Sequence, residues 1–220
     1  MTGGDSDVRT GTRPRTRGET AAETREAILD AACRVIADIG FERIRMRMVG
    51  EEAGVSTAAL HYHFSTRENL FAEALRYSFD HTGADVYEPR GGDSATGRLA
   101  RIVSASLPSS RSLKREWSMW MELWCRAARE DESRNLCVDL YQQHQGWIED
   151  TIAAGVASDE FADCDTRAHA QLISSLCDGF GLQLMIRTPG LTVQGARQAI
   201  WSIAAGPLGI QPTFPIKNQE

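Results

Sequence analysis

The stretch GVSTAALHYHF, residues 54–64, sets two imidazoles and a phenol beside several very small side chains. Imidazole and phenol groups can donate hydrogen bonds to phosphate oxygens, and small side chains let a backbone approach a flat partner closely. A metal site fits this spacing badly, because His61 and His63 stand two apart and such residues do not share a helical face. A second stretch that could do chemistry is LKREWSMWMELWCRAARE, residues 113–130. Trp117, Trp120 and Trp124 recur at i, i+3 and i+7, on one helical face with Leu113 and Met121 beside them. Indole faces attract cations, and indole N–H groups seek acceptors. The same spacing also suits plain core packing, and from the sequence both readings stay open. His144, Trp147, Asp178 and Gln183 are further polar or aromatic candidates for lining a pocket. Glu116, Glu122, Asp150 and Asp178 are acids that could complement a cation, Glu116 and Glu122 being expected at the surface.

These residues need elements to position them, and the whole chain reads as helix. No alternating strand pattern occurs, while Ala27, Ile28, Ala31, Ala32, Val35, Ile36 and Ile39 follow helical spacing over 23–39. Gly40 should end that helix. A short helix around 47–53 ends at Gly54, and Ser56 can cap a brief one over 57–63. Ser65 or Thr66 caps a fourth. The segment 82–97, TGADVYEPRGGDSATG, holds four glycines and a proline and is the expected linker. Five longer helices follow, at about 98–107, 111–130, 132–156, 165–188 and 192–204. The expected architecture is all-α: about nine helices, four small and five long. The expected units are a disordered basic tail (1–18), a helix-turn-helix domain (19–66), a helical ligand-binding and dimerisation domain (67–208) and a tail (209–220) that leaves the helical body.

The 220 residues carry a net charge of −6. Residues 1–80 hold 11 basic against 13 acidic side chains, so any nucleic-acid contact must use one basic face rather than a basic domain. Arg9, Arg13, Arg15 and Arg17 form one cluster, and Arg43, Arg45 and Arg47 another. Five scattered cysteines, an odd number without a Cys-x-x-Cys pair, fit reduced thiols. The N-terminus lacks a signal-peptide core and no apolar run is long enough to span a membrane, so the expected setting is the cytoplasm without membrane contact. No phosphate loop, zinc-helix motif or activated-nucleophile context points to an enzyme, and no cofactor is expected. The acidic balance also argues against an architectural nucleic-acid binder.

Two short helices joined at AGVS have helix-turn-helix geometry, with Val55 and Leu60 locking them together. Thr57, Ala58, His61 and Tyr62 then face outward. Residues 24–71, TREAILDAACRVIADIGFERIRMRMVGEEAGVSTAALHYHFSTRENLF, resemble the DNA-binding domain of TetR-family transcriptional regulators. The likeness rests on TREAILDAA, the GF and AGVS turns, LHYHF and TRENLF. It implies that the third helix enters the major groove of double-stranded operator DNA. Thr57 and Ala58 then face bases, and His61, Tyr62, His63 and Arg67 reach phosphate or adjacent bases. Ser56, Arg45 and Arg47 join this set. The sequence departs from the family just before the second helix, where Ile44 and Arg45 replace the usual Ser or Thr.

The run 170–186, AQLISSLCDGFGLQLMI, is apolar around much of its circumference and should be buried on two sides. Together with 193–205 it resembles the family's four-helix dimer interface, which implies contacts from Leu172, Ser175, Gly179, Leu182, Ile186, Ala196 and Ile200. The C-terminal half is similar to the BetI-type branch of the family. The resemblance implies a homodimer that reads a roughly palindromic operator as a repressor and is released by a small-molecule effector, aromatic or cationic. An activator of the same fold is the alternative.

Overall fold

The structure, a computed structural model, describes residues 17–87 and 91–215. Among these residues it consists of nine α-helices and no strand: α1 (Arg17–Ile39), α2 (Met46–Ala53), α3 (Thr57–His63), α4 (Arg67–Tyr87), α5 (Ala95–Ala105), α6 (Arg111–Ala127), α7 (Asp131–Ala157), α8 (Thr166–Met185) and α9 (Val193–Leu208). A single 3-10 turn, Phe41–Arg43, links α1 to α2.

Local chemistry explains the breaks. Gly40 ends α1 at φ +79°, and Gly54 ends α2 at φ +69°, where a side chain would be strained. Ser56, Thr66, Ser94, Ser110, Asp165 and Thr192 each accept a hydrogen bond from the amide three residues on, opening α3, α4, α5, α6, α8 and α9. Each such cap stabilises its helix by about 1 kcal/mol. Arg45 stands at the start of α2 with no side-chain cap, and Ile44 is buried beneath it. The hydroxyl cap that the sequence lacks is therefore not replaced.

Two apolar cores fill the molecule. One gathers Ile28, Leu29, Phe41, Leu60, Phe64 and Phe71 and runs on into Met119 and Leu123 of α6. The other gathers Leu99, Ile102, Ile148, Ile173, Ile200 and Trp201. Trp147 packs against both.

Three expectations need correction. The fourth helix is not small: α4 has 21 residues and runs through the first six residues of the expected linker, Gly83 among them, to Tyr87. Gly83 is tolerated there because a side chain would collide with the Trp147 ring, 2.7 Å from where its Cβ would stand. Helix α1 also starts earlier, at Arg17. The rest of the expected basic tail, with Arg9, Arg13 and Arg15, lies outside the described residues. Finally, within the described residues the C-terminal segment does not leave the body. Trp201 donates its indole N–H to the Gln211 carbonyl at 3.0 Å, Gln198 donates to the Pro212 carbonyl at 2.7 Å, and Phe214 is buried edge-on against Trp201. Proline content misled here, because Pro207 is carried inside α9 and the chain beyond it packs in extended form.

Phe214→Ala should cost about 3 kcal/mol in urea unfolding, through lost burial and the cavity left behind. A cost below about 0.5 kcal/mol would mean that the segment contributes nothing to the core.

Candidate nucleic-acid interface and ligand cavity

Helix α3 is anchored by one side and offered by the other. Leu60 is fully buried, and Val55, in the turn, is half-buried. The Val55 amide donates to the Gly50 carbonyl at 2.9 Å, closing the turn. A Cβ on Gly50 would stand 3.1 Å from the Val55 carbonyl, so a larger residue would push the two helices apart. Ser56, Thr57, Ala58, His61 and Tyr62 are exposed, and Tyr62 is 82% exposed. Tyr62 rests edge-on against the half-buried His63, with centroids 5.1 Å apart. An exposed tyrosine beside four small or polar outward residues is a surface prepared for a partner.

The basic residues nearby are less uniform than the sequence implies. Arg45 and Arg47 are exposed, although Arg47 already pairs with Glu51 at 3.1 Å. Arg67 is partly withdrawn: its guanidinium lies 4.4 Å over the Phe41 ring and beside Glu68.

The second site is a cavity of about 50 Å³ with an open mouth, between α4, α5, α6, α7 and α8. Trp117, Trp120 and Trp124 line it from α6, so the tryptophan stripe is both core and wall. His144 and Asp178 line it as well. Three of the sequence candidates are placed elsewhere. Gln183 is exposed, Met121 lies off the cavity wall, and Trp147 backs the wall by stacking on Tyr87 and Phe79, at 4.0 and 5.0 Å. Asp150 is exposed too.

Sequence reasoning missed Phe79, Tyr87, Ser106 and Tyr141, which come from other helices and complete the wall. It also placed Glu116 at the surface, whereas Glu116 lines the cavity. Only tertiary packing brings these residues together. Gly181 on α8 was a usable signal: a Cβ there would lie 2.0 Å from the Trp117 ring, so the bare backbone is what lets α8 close on α6.

The polar groups of the cavity are sharply differentiated. Tyr141 donates to Asp178 at 2.7 Å. Burial raises Asp178 to about 6, against the opposing pull of that hydrogen bond. Burial, and then the Asp178 charge, push the Tyr141 phenol well above its ordinary range. His144 pairs with Ser106 at 3.1 Å and Ser174 at 3.4 Å, and burial lowers it to about 4, so it stays neutral. Trp117 donates to the Ser106 carbonyl at 3.2 Å. The Trp124 N–H leans on the Tyr141 hydroxyl without a well-formed hydrogen bond. Among the described residues, two carboxylates and six Phe, Tyr and Trp side chains line this space, and no lysine or arginine does. Such a wall favours a compact cation.

Residues 28–74 match the tetR family of bacterial regulatory proteins, and residues 95–206 match the C-terminal domain of BetI-type transcriptional repressors. The chain belongs to the TetR family of transcriptional regulators. A regulator from Saccharomonospora viridis, crystallised in complex with choline, is 32% identical. It superposes with a TM-score of 0.69 over 81% of this chain and 94% of its own. A TetR-family regulator from Rhodococcus sp. is 28% identical, with a TM-score of 0.77 over 85% and 99%. The BetI regulator of Rhizobium meliloti is 23% identical over 78% of this chain and 83% of its own. That of Agrobacterium fabrum is 29% identical over 52% and 56%. Among the described residues, no helix of this regulator is long and apolar enough to cross a membrane.

The outer face of α8 carries an exposed row: Leu172, Ser175, Gly179, Leu182 and Ile186, with Ile186 at 64% exposure. Ala196 and Ile200 do not continue that row. Both are fully buried inside the chain and are unavailable to a second copy. On α9 it is Ile203 that faces outward. Helical spacing identified an apolar stripe on α9, but that stripe is the one turned toward the chain's own core.

Tyr62→Ala should leave the melting temperature unchanged within about 2 °C, as expected for so exposed a side chain. It should weaken operator binding about tenfold through a lost phosphate contact; unchanged affinity in a gel shift would remove Tyr62 from the interface. Asp178 gives a pH prediction. Its folded pKa is raised, so its contribution is favourable at low pH and is lost as pH rises through about 6. Asp178→Asn should therefore raise the melting temperature by a few degrees at pH 7.5 and by little near pH 4. A pH-independent difference would mean that the carboxyl is not desolvated.

Proposed function

We propose that this TetR-family regulator is a homodimeric repressor that leaves its operator when a small organic cation fills the aromatic cavity. The composition of the cavity wall carries the proposal: aromatic faces and carboxylates surround a space that, among the described residues, no lysine or arginine lines. Quaternary ammonium compounds suit it, since methylated nitrogen needs no hydrogen-bond acceptors and is held by ring faces. The choline bound by the 32%-identical Saccharomonospora regulator belongs to this class. Trp120, which packs against Phe79, Tyr141 and Trp124, is assigned as the central ring. Asp178 and Glu116 supply the charge.

In this proposal residues 19–66 read DNA in the cytoplasm, with Thr57 and Ala58 toward bases. His61, Tyr62, His63, Arg45 and Arg47 take phosphate. Residues 67–208 hold the ligand and the two-fold interface. The outward row of α8, with Ile203 of α9, is assigned to the second copy, because those exposed apolar side chains form one stripe at helical spacing. A two-fold then sets two α3 helices about 34 Å apart, or a multiple, for successive half-sites. Occupancy of the cavity shifts the population toward a spacing that fits the duplex poorly.

The test is a tryptophan-fluorescence titration with choline and with its neutral carbon isostere, 3,3-dimethylbutan-1-ol, followed by operator binding with each present. Choline should bind at least about tenfold more tightly than the isostere, reflecting a desolvated cation–ring contact. It alone should release the operator. Trp120→Ala should remove that preference and leave operator affinity unchanged. Equal affinity for the neutral isostere would sink the cationic assignment.

A further inference from the structure

Outside α3 and the cavity, one cluster has no role yet: Phe41 and the two guanidiniums laid over it. Phe41 lies in the 3-10 turn that leads into α2, and it is fully buried. The Arg126 guanidinium carbon is 4.0 Å from its ring centroid and that of Arg67 is 4.4 Å away. Arg126 is only 13% exposed. It pairs with Glu130 at 2.7 Å and with Glu42, the neighbour of Phe41, at 3.8 Å, and donates to Ser133 at 3.4 Å. Arg67, from α4, donates to the Glu42 carbonyl at 3.4 Å. The turn is thus tied to α6 by one arginine and to α4 by another. Helix α6 meets the same turn a second time, where Glu122 lies against Gly40.

The geometry points to Arg126 as the positioning residue that carries the state of the cavity to the recognition helix. The inference rests on the effector assignment made above. Arg126 follows the cavity residue Trp124 by two positions in the same unbroken helix, about 3 Å along its axis. Nothing flexible separates them. A ligand that displaces α6 through Trp120 and Trp124 carries with it the guanidinium over Phe41, and α2 starts five residues after Phe41. An aliphatic side chain would cover Phe41 without the cost of desolvating a charge. Arginine adds a flat, orientation-dependent grip on the ring, together with two carboxylate partners that a small displacement can loosen. Such a contact has distinct engaged and disengaged arrangements, as coupling between sites requires.

The experiment uses the full chain and a duplex enriched from random DNA by the wild-type protein. Arg126→Met keeps the aliphatic cover and removes the charge, and Arg126→Lys keeps the charge without the planar stack. For each, choline affinity is read by tryptophan fluorescence, and operator affinity is read with and without saturating choline. In the wild type, choline should lower operator affinity by at least about tenfold. In Arg126→Met that ratio should fall below about twofold, while choline affinity and choline-free operator affinity each stay within about threefold of wild type. Arg126→Lys should behave like Arg126→Met. Because coupling is reciprocal, a second readout needs no effector: operator binding should alter acrylamide quenching of the cavity tryptophans in the wild type and not in Arg126→Met.

A variant that keeps the full choline ratio or the full quenching response overturns the inference. So does a wild type whose quenching ignores the operator. A wild type that takes no choline counts against the cationic effector, and the quenching comparison then decides Arg126 by itself. If Arg126→Met fails to fold, Phe41→Leu, which keeps apolar bulk and loses the ring face, must give the same uncoupling.

Discussion

Three indoles on one face of one helix are more aromatic surface than a single neighbour can cover. Helix α6 meets that constraint by meeting a different partner at each turn. Trp117 is received by the bare backbone of Gly181 and by the Ser106 carbonyl. Trp120 meets Phe79 of α4 and Tyr141 of α7. Trp124 closes the row, edge-on to Trp117 and tilted against Trp120. Large planar rings set at steep angles do not tile space, so their meeting leaves a void. The cavity follows from the packing problem that the tryptophan stripe creates, and α4, α5, α7 and α8 are placed where they can share the stripe.

The void is not electrically neutral in character. Desolvation drives His144 toward its uncharged form and pushes Asp178 up toward neutrality from the opposite direction. The two effects differ in consequence. A neutral imidazole held between two hydroxyls is content with its surroundings, whereas a carboxylate ionised at neutral pH in that space carries a cost that the Tyr141 hydrogen bond offsets only in part. A bound cation would offset it. Stability of the empty protein and affinity for the ligand are therefore set against each other at one side chain, a trade often found at binding sites.

Much of the fold is legible in the sequence because it is written in local chemistry. The apolar spacing of α1, the left-handed glycines at 40 and 54, and the Ser56 cap each act within a few residues. The outward set of α3 follows from the same spacing. The cavity was legible only in part. Trp117, Trp120 and Trp124 announce one aromatic face by their period, core or wall, but Phe79, Tyr87 and Tyr141 lie on other helices, and nothing local marks them as partners. Glu116 shows the limit well. A glutamate on an amphipathic helix is ordinarily solvated, and only the arrival of neighbouring helices makes its position a cavity wall. The error at Ala196 and Ile200 has a related cause: periodicity finds an apolar stripe but cannot say whether a helix with apolar residues on two sides turns that stripe to its own core or to another chain.

Helix α8 brings the cavity and the outer surface within one helix diameter. Ser174, Cys177, Asp178 and Gly181 look inward, and Leu172, Ser175, Gly179, Leu182 and Ile186 look outward. Small residues dominate where the two sets adjoin. A helix with so little side-chain padding transmits displacement to whatever it touches, since close-packed backbones cannot absorb it by side-chain rearrangement. Helix α6 has the complementary design, with bulky rings toward the cavity and a single arginine reaching the turn before α2. A ligand between these two helices would press on both at once. In the proposed dimer the response would be spread between the α8 surface, assigned to the second copy, and the turn at Phe41, which leads into α2 within one copy. On the proposed mechanism, two routes from one cavity would give the same protein two ways to misplace its recognition helices, and neither would require the ligand to approach the DNA.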